Sequence, residues 1–182
     1  MSKLDHPTFA RVKEAFPDAA LQGTEFRGQA SLVVRPEDLH AIMAFLRDDP
    51  ACQYDFLSDI VGVDYLDYPG QVPARFGVTY NVCAYGRDDR FFVKTYLEPS
   101  LGTEGIDEDP ALYLDTVTDL WAGAEWMERE VFDMFGIRFR NHPDLRRILT
   151  WQDFPAHPLR KDYPIKGRGE REAYKVVGRA DV

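Results

Sequence analysis

The sequence is poor in cysteine, and that scarcity removes several kinds of chemistry at once. Only Cys52 and Cys83 occur among the 182 residues. Neither belongs to a Cys-x-x-Cys pair, so no four-ligand set for zinc or an iron–sulfur cluster can be assembled, and both read as reduced thiols. Also missing are a Gly-x-Gly-x-x-Gly fingerprint, a P-loop, a Gly-x-Ser-x-Gly elbow and a recognisable Cys–His nucleophile pair. The longest run without a charged residue is 76–86, far short of the roughly 20 apolar residues of a membrane span. The N-terminus shows no basic region followed by an apolar run, so no secretory signal is expected. There is no internal repeat and no low-complexity tract. A soluble cytoplasmic chain is expected, with any membrane association made through partners.

What is present is acid. The formal charge is −9, and it is unevenly spread. Residues 1–140 hold 13 basic and 25 acidic side chains, a net −12; residues 141–182 hold 9 and 6, a net +3. An acidic body argues against nucleic acid as a partner, because phosphates would be repelled. A mildly basic tail is either solvated or docked on an acidic neighbour.

The periodicities predict an α+β single domain: an antiparallel or mixed sheet with helices on one face, plus an extended C-terminal tail. Residues 7–16 read as a short helix, with Pro7 at its start and Pro17 ending it. One strand is expected within residues 25–35, centred on Ser31-Leu32-Val33-Val34. Pro36 opens an amphipathic helix carrying Leu39, Ile42, Met43 and Leu46. Residues 56–66 read as extended. Phe76, Val78, Tyr80, Val82 and Ala84 alternate with smaller or polar residues, and residues 91–97 pair back on them as a hairpin. Residues 98–110 are acidic and rich in breakers, a surface loop.

Residues 119–135 read as one helix ended by Gly136, followed by a short strand at 137–140 and a turn at His142-Pro143-Asp144. Leu120, Trp121, Ala124, Met127, Val131, Met134 and Phe135 share a broad apolar face. Glu125, Arg129 and Asp133 stand four apart and can form a carboxylate–guanidinium–carboxylate ladder on the opposite face. Glu128 lies at the apolar margin, where a carboxylate is costly unless paired. With Trp126 and Phe132 on the polar flanks, this helix needs cover on nearly every side, more than a small domain usually supplies.

Several residues invite a chemical reading and a plain one. Asp59 with Asp64, or Glu128 with Glu130, could serve as acid and base; otherwise the aspartates flank a strand and the glutamates pair with Arg129 or with another subunit's arginine. His142 and His157 each precede a proline and lack companion ligands, which favours turn or interface roles over metal binding. Arg146-Arg147 could take a phosphate, but beside Asp144 an inter-subunit ion pair is the simpler reading.

From residue 150 onward the character changes. Pro155, Pro158 and Pro164 interrupt the backbone, and apolar periodicity vanishes. Yet Trp151, Phe154, Leu159, Tyr163, Ile165 and Tyr174 are the anchors that interfaces use. The chain therefore divides into a domain of residues 1–149 and an extended, proline-rich basic tail of residues 150–182, expected to become ordered on a partner subunit.

The run Glu128-Arg129-Glu130, Asp133, His142, Arg146-Arg147 and Ile148-Leu149, with this spacing, resembles the signature of the 30-kDa subunit family of respiratory complex I. The likeness extends back to Thr116-Val117-Thr118-Asp119-Leu120-Trp121 and forward to His157-Pro158-Leu159-Arg160-Lys161-Asp162-Tyr163-Pro164. Weaker matches lie at residues 59–65 and at Arg75-Phe76, so it covers most of residues 54–174.

The resemblance implies a non-catalytic structural subunit in the peripheral arm of a proton-translocating NADH:quinone oxidoreductase. Such a subunit sits beside the hydrogenase-like 49-kDa quinone-site subunit, on the cytoplasmic side of a bacterial membrane. It binds no cofactor itself; FMN and iron–sulfur clusters belong to partner subunits. Glu128, Arg129, Glu130, Asp133, His142, Arg146, Arg147, His157, Arg160, Lys161 and Asp162 are carried over as structural and interface residues, none of them catalytic. Three alternatives stay open: the equivalent subunit of a membrane-bound hydrogenase or of a ferredoxin- or deazaflavin-fed complex, a free-standing carboxylate acid/base enzyme, and an adaptor without redox role.

Overall fold

A computed structural model describes residues 6–170. The chain runs α1 (Pro7–Ala15), β1 (Gln22–Phe26), β2 (Gln29–Val33), a 3-10 turn (Pro36–Asp38), α2 (Leu39–Asp48), β3 (Phe56–Asp64), β4 (Phe76–Ala84), β5 (Asp89–Leu97), β6 (Tyr113–Asp115), α3 (Ala124–Phe135) and β7 (Arg138–Arg140). The main sheet has the order β1-β2-β5-β4-β3. Its β2–β5 pair is parallel and its other pairs are antiparallel. It is the mixed sheet of an α+β domain, as the element order implied.

The core forms where the predicted periodicities meet. Phe76, Val78, Tyr80, Val82 and Ala84 all turn inward from β4, and Leu39, Ile42, Met43 and Leu46 of α2 are buried in the same cluster. Alternation at period two and apolar residues at helical spacing thus place one face of each element in one core. Pro36 begins the turn that leads into α2, as its fixed φ favours. Residues 98–110 are irregular throughout.

Three local expectations need correction. The single strand expected within residues 25–35 is a hairpin, β1 with β2. Arg27 and Gly28 turn it with φ of 51° and 77°, and positive φ at both central residues suits the twist of the flanking strands. Arginine at the first of those positions hid the turn. The last helix begins at Ala124 rather than at residue 119, since Val117–Trp121 is taken up by turn hydrogen bonds from Leu120 N and Trp121 N to Val117 O. Strand β6, too short to show a period, pairs in parallel with β7.

Contacts with the sheet fix where α3 lies. It packs on β3, and Gly62 of that strand faces the Phe135 ring: a Cβ there would stand 2.6 Å from Phe135 Cδ2. The near side of α3 is therefore set by one absent side chain. Gly62→Ala is expected to lower stability by roughly 1–3 kcal/mol through overpacking, read from urea unfolding of the purified chain. Adding Phe135→Leu should restore part of that loss, whereas a purely additive double mutant would show that the ring is not the obstacle.

Candidate functional site

The signature residues gather around the far side of α3, where residues 142–162 fold back over the helix. Asp133 is the hub. Its Oδ2 accepts the amides of Ile148, Leu149 and Thr150 at 3.1, 2.7 and 2.8 Å, and its Oδ1 accepts Arg147 Nη1 at 2.7 Å and the Thr150 hydroxyl. Burial alone would raise this carboxyl, but the bonds from Thr150, Arg147 and Leu149 hold it below the usual aspartate range. Its charge is therefore kept, and its contribution to stability fades as pH falls below the ordinary aspartate value.

The same segment caps the helix end. An α-helix leaves its last carbonyls without intrahelical donors. Here His157 Nδ1 meets Asp133 O at 2.9 Å, Leu159 N donates to Met134 O at 3.1 Å, and Arg160 Nε donates to Phe135 O at 2.7 Å. Because a carbonyl only accepts, Nδ1 of His157 carries the proton. Burial pushes His157 down to about 4, so it stays neutral at neutral pH. Gly136, at φ 75°, turns the chain away, and a Cβ there would run into Arg160 Nη2 and the His157 ring. Arginines at this end also meet the negative pole of the helix dipole.

Arg147 continues the lock through Nη2, which donates to Phe154 O and Ala156 O at 2.9 and 3.0 Å. The predicted ladder of Glu125, Arg129 and Asp133 is not what forms. Arg129 instead donates to the carbonyls of Arg146 and Arg147 at 3.1 and 3.2 Å, and its guanidinium lies 5.1 Å from the centre of the Trp126 ring. The loop offers Arg129 carbonyls and Asp133 amides, and both side chains are buried under it. The cover that α3 needs is thus largely supplied within the chain.

Glu128 is the isolated member. Fully buried, it accepts the Thr116 hydroxyl at 2.5 Å and the Val117 amide at 2.8 Å. No arginine reaches it, contrary to the expected pairing; the nearest cationic candidate is His142 Nε2, at 3.9 Å. That nitrogen already lies 3.0 Å from Glu125 O, while His142 Nδ1 accepts the Asp144 amide. Burial pushes Glu128 up to about 7 against its two hydrogen bonds. The orphaned hydroxyl of Tyr80 lies in the same core.

A second latch joins the tail to the sheet. Arg75 binds Asp64 through two parallel bonds of 3.0 and 2.9 Å and reaches Asp162 at 2.8 Å. Lys161 N donates to Asp64 Oδ2 at 2.8 Å, and the Thr103 hydroxyl closes on Asp162. Pattern reading did not single out Thr103, Thr116 or Thr150, nor the carbonyl acceptors. Arg75 stood only in a weaker match, and isolated threonines in loops carry no periodic signal.

Neither proposed acid/base pair comes together as such. Asp64 is buried in the Arg75 latch while Asp59 is exposed, and Glu128 is buried while Glu130 is exposed. Among the described residues, no group of three or more His, Cys, Asp and Glu is placed to hold a metal ion. Of the signature, Glu130, Arg146 and Lys161 are exposed. Tyr174, expected as an anchor, lies outside the described residues.

The family described as respiratory-chain NADH dehydrogenase, 30 Kd subunit, matches residues 32–169. The chain belongs to that family. A 30-kDa family member from Citrifermentans bemidjiense, a subunit of its NADH-quinone oxidoreductase, is 43% identical over 165 residues, 91% of this chain and 92% of that protein. A solved structure of the trypsin-resistant fragment (1-134) of Nqo5 is 37% identical, with a TM-score of 0.59 over 76% of this chain and 99% of the fragment. The 30-kDa fold also recurs in a chain of the membrane-bound sulfane sulfur reductase, an archaeal respiratory membrane complex, at 20% identity and a TM-score of 0.67. That likeness covers 94% of this chain and 91% of the other.

Two outcomes follow for the 30-kDa signature. Arg147→Ala strips a buried carboxylate of its cation and should cost roughly 3 kcal/mol. Arg146→Ala removes only an exposed pair with Asp144 and should cost under about 0.5 kcal/mol; similar losses in urea unfolding would refute the asymmetry. For Glu128, the folded pKa lies above the unfolded one, so its contribution to stability falls as pH rises from about 4.5 to about 7. Glu128→Gln should match the parent near pH 5 and exceed it at pH 8 by on the order of 1 kcal/mol. Parallel stability–pH curves would remove the inference.

Proposed function

We propose that this chain is a non-catalytic structural subunit of the peripheral arm of a proton-translocating NADH:quinone oxidoreductase, respiratory complex I. The carrying observation is the family match over residues 32–169, joined to what the signature residues do in this fold. They spend their charges on helix carbonyls, loop amides and one another, which builds a rigid scaffold and leaves no convergent set of reacting groups in a pocket. FMN and iron–sulfur clusters belong, in this reading, to partner subunits, and electrons pass from NADH to quinone outside this chain.

The neighbour we infer is the hydrogenase-like 49-kDa quinone-site subunit, with other peripheral-arm subunits beside it, on the cytoplasmic side of the bacterial membrane. No described helix is long and apolar enough to cross a membrane, which agrees with attachment through partners. The outward parts of residues 142–170 supply the contact surface we favour. Leu149, Leu159 and Ile165 are exposed apolar anchors, and Arg146, Lys161 and Lys166 are exposed cations between them. Apolar anchors within a charged rim are the usual make-up of a specific interface. Residues 150–162 are already tied to their own domain by the two latches, so the proposed tail presents a shaped surface rather than a loose strand.

The test is a native pull-down of the tagged chain from detergent-solubilised membranes, with NADH:quinone reduction assayed in the eluate. A large assembly with that activity is expected, while the purified chain alone is inert. An assembly that ignores NADH and accepts another donor, or a tagged chain recovered alone, would overturn the proposal.

A further inference from the structure

We propose that the outer edge of β3 and the groove beside it receive an extended segment of a neighbouring polypeptide, basic in character, which adds to the five-stranded sheet as a further strand. The inference rests on the reading of this chain as a subunit of an assembly. It assigns a second docking site, separate from the outward face of residues 142–170.

The strand order leaves two edges, β1 and β3. The β1 edge is short and polar, Gln22-Gly23-Thr24-Glu25-Phe26. The β3 edge is nine residues long. After the register irregularity between Leu57 and Asp59, it continues as Ile60-Val61-Gly62-Val63, without a charge or a proline. An edge of that kind is a template for pairing, and proteins that keep it free of partners normally blunt it with lysine, proline or a covering element. Among the described residues, no group outside β4 hydrogen-bonds to the backbone of residues 58–63.

Between β3 and α3 lies a groove of about 170 Å³. Ile60 and Val61, which point to opposite faces of the sheet, both line it, so the groove follows the strand edge rather than either face. Met134 and Leu159 form much of its apolar wall. Asp59 and Glu130 stand at its rim, both exposed, and neither has an ion-pair partner among the described residues. Two unpaired carboxylates flanking an apolar slot select an incoming strand with an apolar side chain between lysines or arginines. The net charge of −12 over residues 1–140 favours the same sign of partner. Backbone pairing to β3 would supply affinity, and the rim would set register.

The experiment places the photo-crosslinking residue p-benzoylphenylalanine at Val61 of the tagged full chain, irradiates native membranes, and identifies the adduct by mass spectrometry. The expected adduct is a peptide of another subunit with lysine or arginine on both sides of an apolar residue. In an Asp59→Lys/Glu130→Lys background its yield should fall at least about fivefold as the rim turns repulsive, while the variant chain unfolds at the parent temperature. A high-molecular-weight assembly on native gels that gives no adduct at Val61 would overturn the proposal and leave the subunit reading standing. So would an adduct to an acidic segment or to a second copy of this chain. A tagged chain that migrates alone would overturn both.

Discussion

A helix that ends inside a protein must find donors for its last carbonyl oxygens, and α3 ends inside this one. Asp133, Met134 and Phe135 give their carbonyls to His157, Leu159 and Arg160. Those three donors come from a single stretch that has no regular structure of its own. The helix therefore dictates the path of the irregular segment, and the segment in turn seals the helix. Asp133 extends the exchange from backbone to side chain by collecting three successive loop amides. Each bond to a charged group is worth about 1.5–3 kcal/mol when buried, so the lock is among the firmest parts of the fold.

Glu128 follows a different logic one turn earlier. It sits among apolar side chains with a hydroxyl and an amide for company and no close cation. Its solvation is replaced only in part, and burial holds its proton more tightly than water would. The Arg75–Asp64–Asp162 latch makes the contrast plain, because there a guanidinium meets two carboxylates and all stay charged. Charge in this protein is retained where arginine can fork, and is weakened where it cannot.

The sheet and α2 were legible because their signals are periodic: the alternating run in β4 and the i, i+3, i+4 spacing from Leu39 need no knowledge of neighbours. The β1–β2 hairpin was not, since Arg27 carries positive φ at a position where asparagine or glycine would have announced the turn. The signature residues were found by family likeness, and their burial could be sensed from the apolar girth of α3. Their partners could not. A guanidinium that binds carbonyls leaves no complementary residue type in the sequence, and Arg129 therefore looked like the middle of an ion-pair ladder. The cover for α3 came from residues 142–160, whose prolines read as a free tail because proline removes periodicity whether or not the chain is packed.

The parallel pairing of β2 with β5 carries a consequence for how the chain is made. Ala30 stands beside Phe91, and the α2, β3 and β4 elements all lie between them in sequence. As the chain leaves the ribosome, the β1–β2 hairpin emerges early with its inner edge bare. That edge stays bare until β5 follows, because no nearer strand is built to fill it. Contacts of such long sequence separation form late and slowly, and an uncovered apolar strand is prone to wrong pairings while it waits. Leu32, buried in the finished core, is thus open to its surroundings for a sizeable part of synthesis, and the nascent chain's period of risk is written into its strand order.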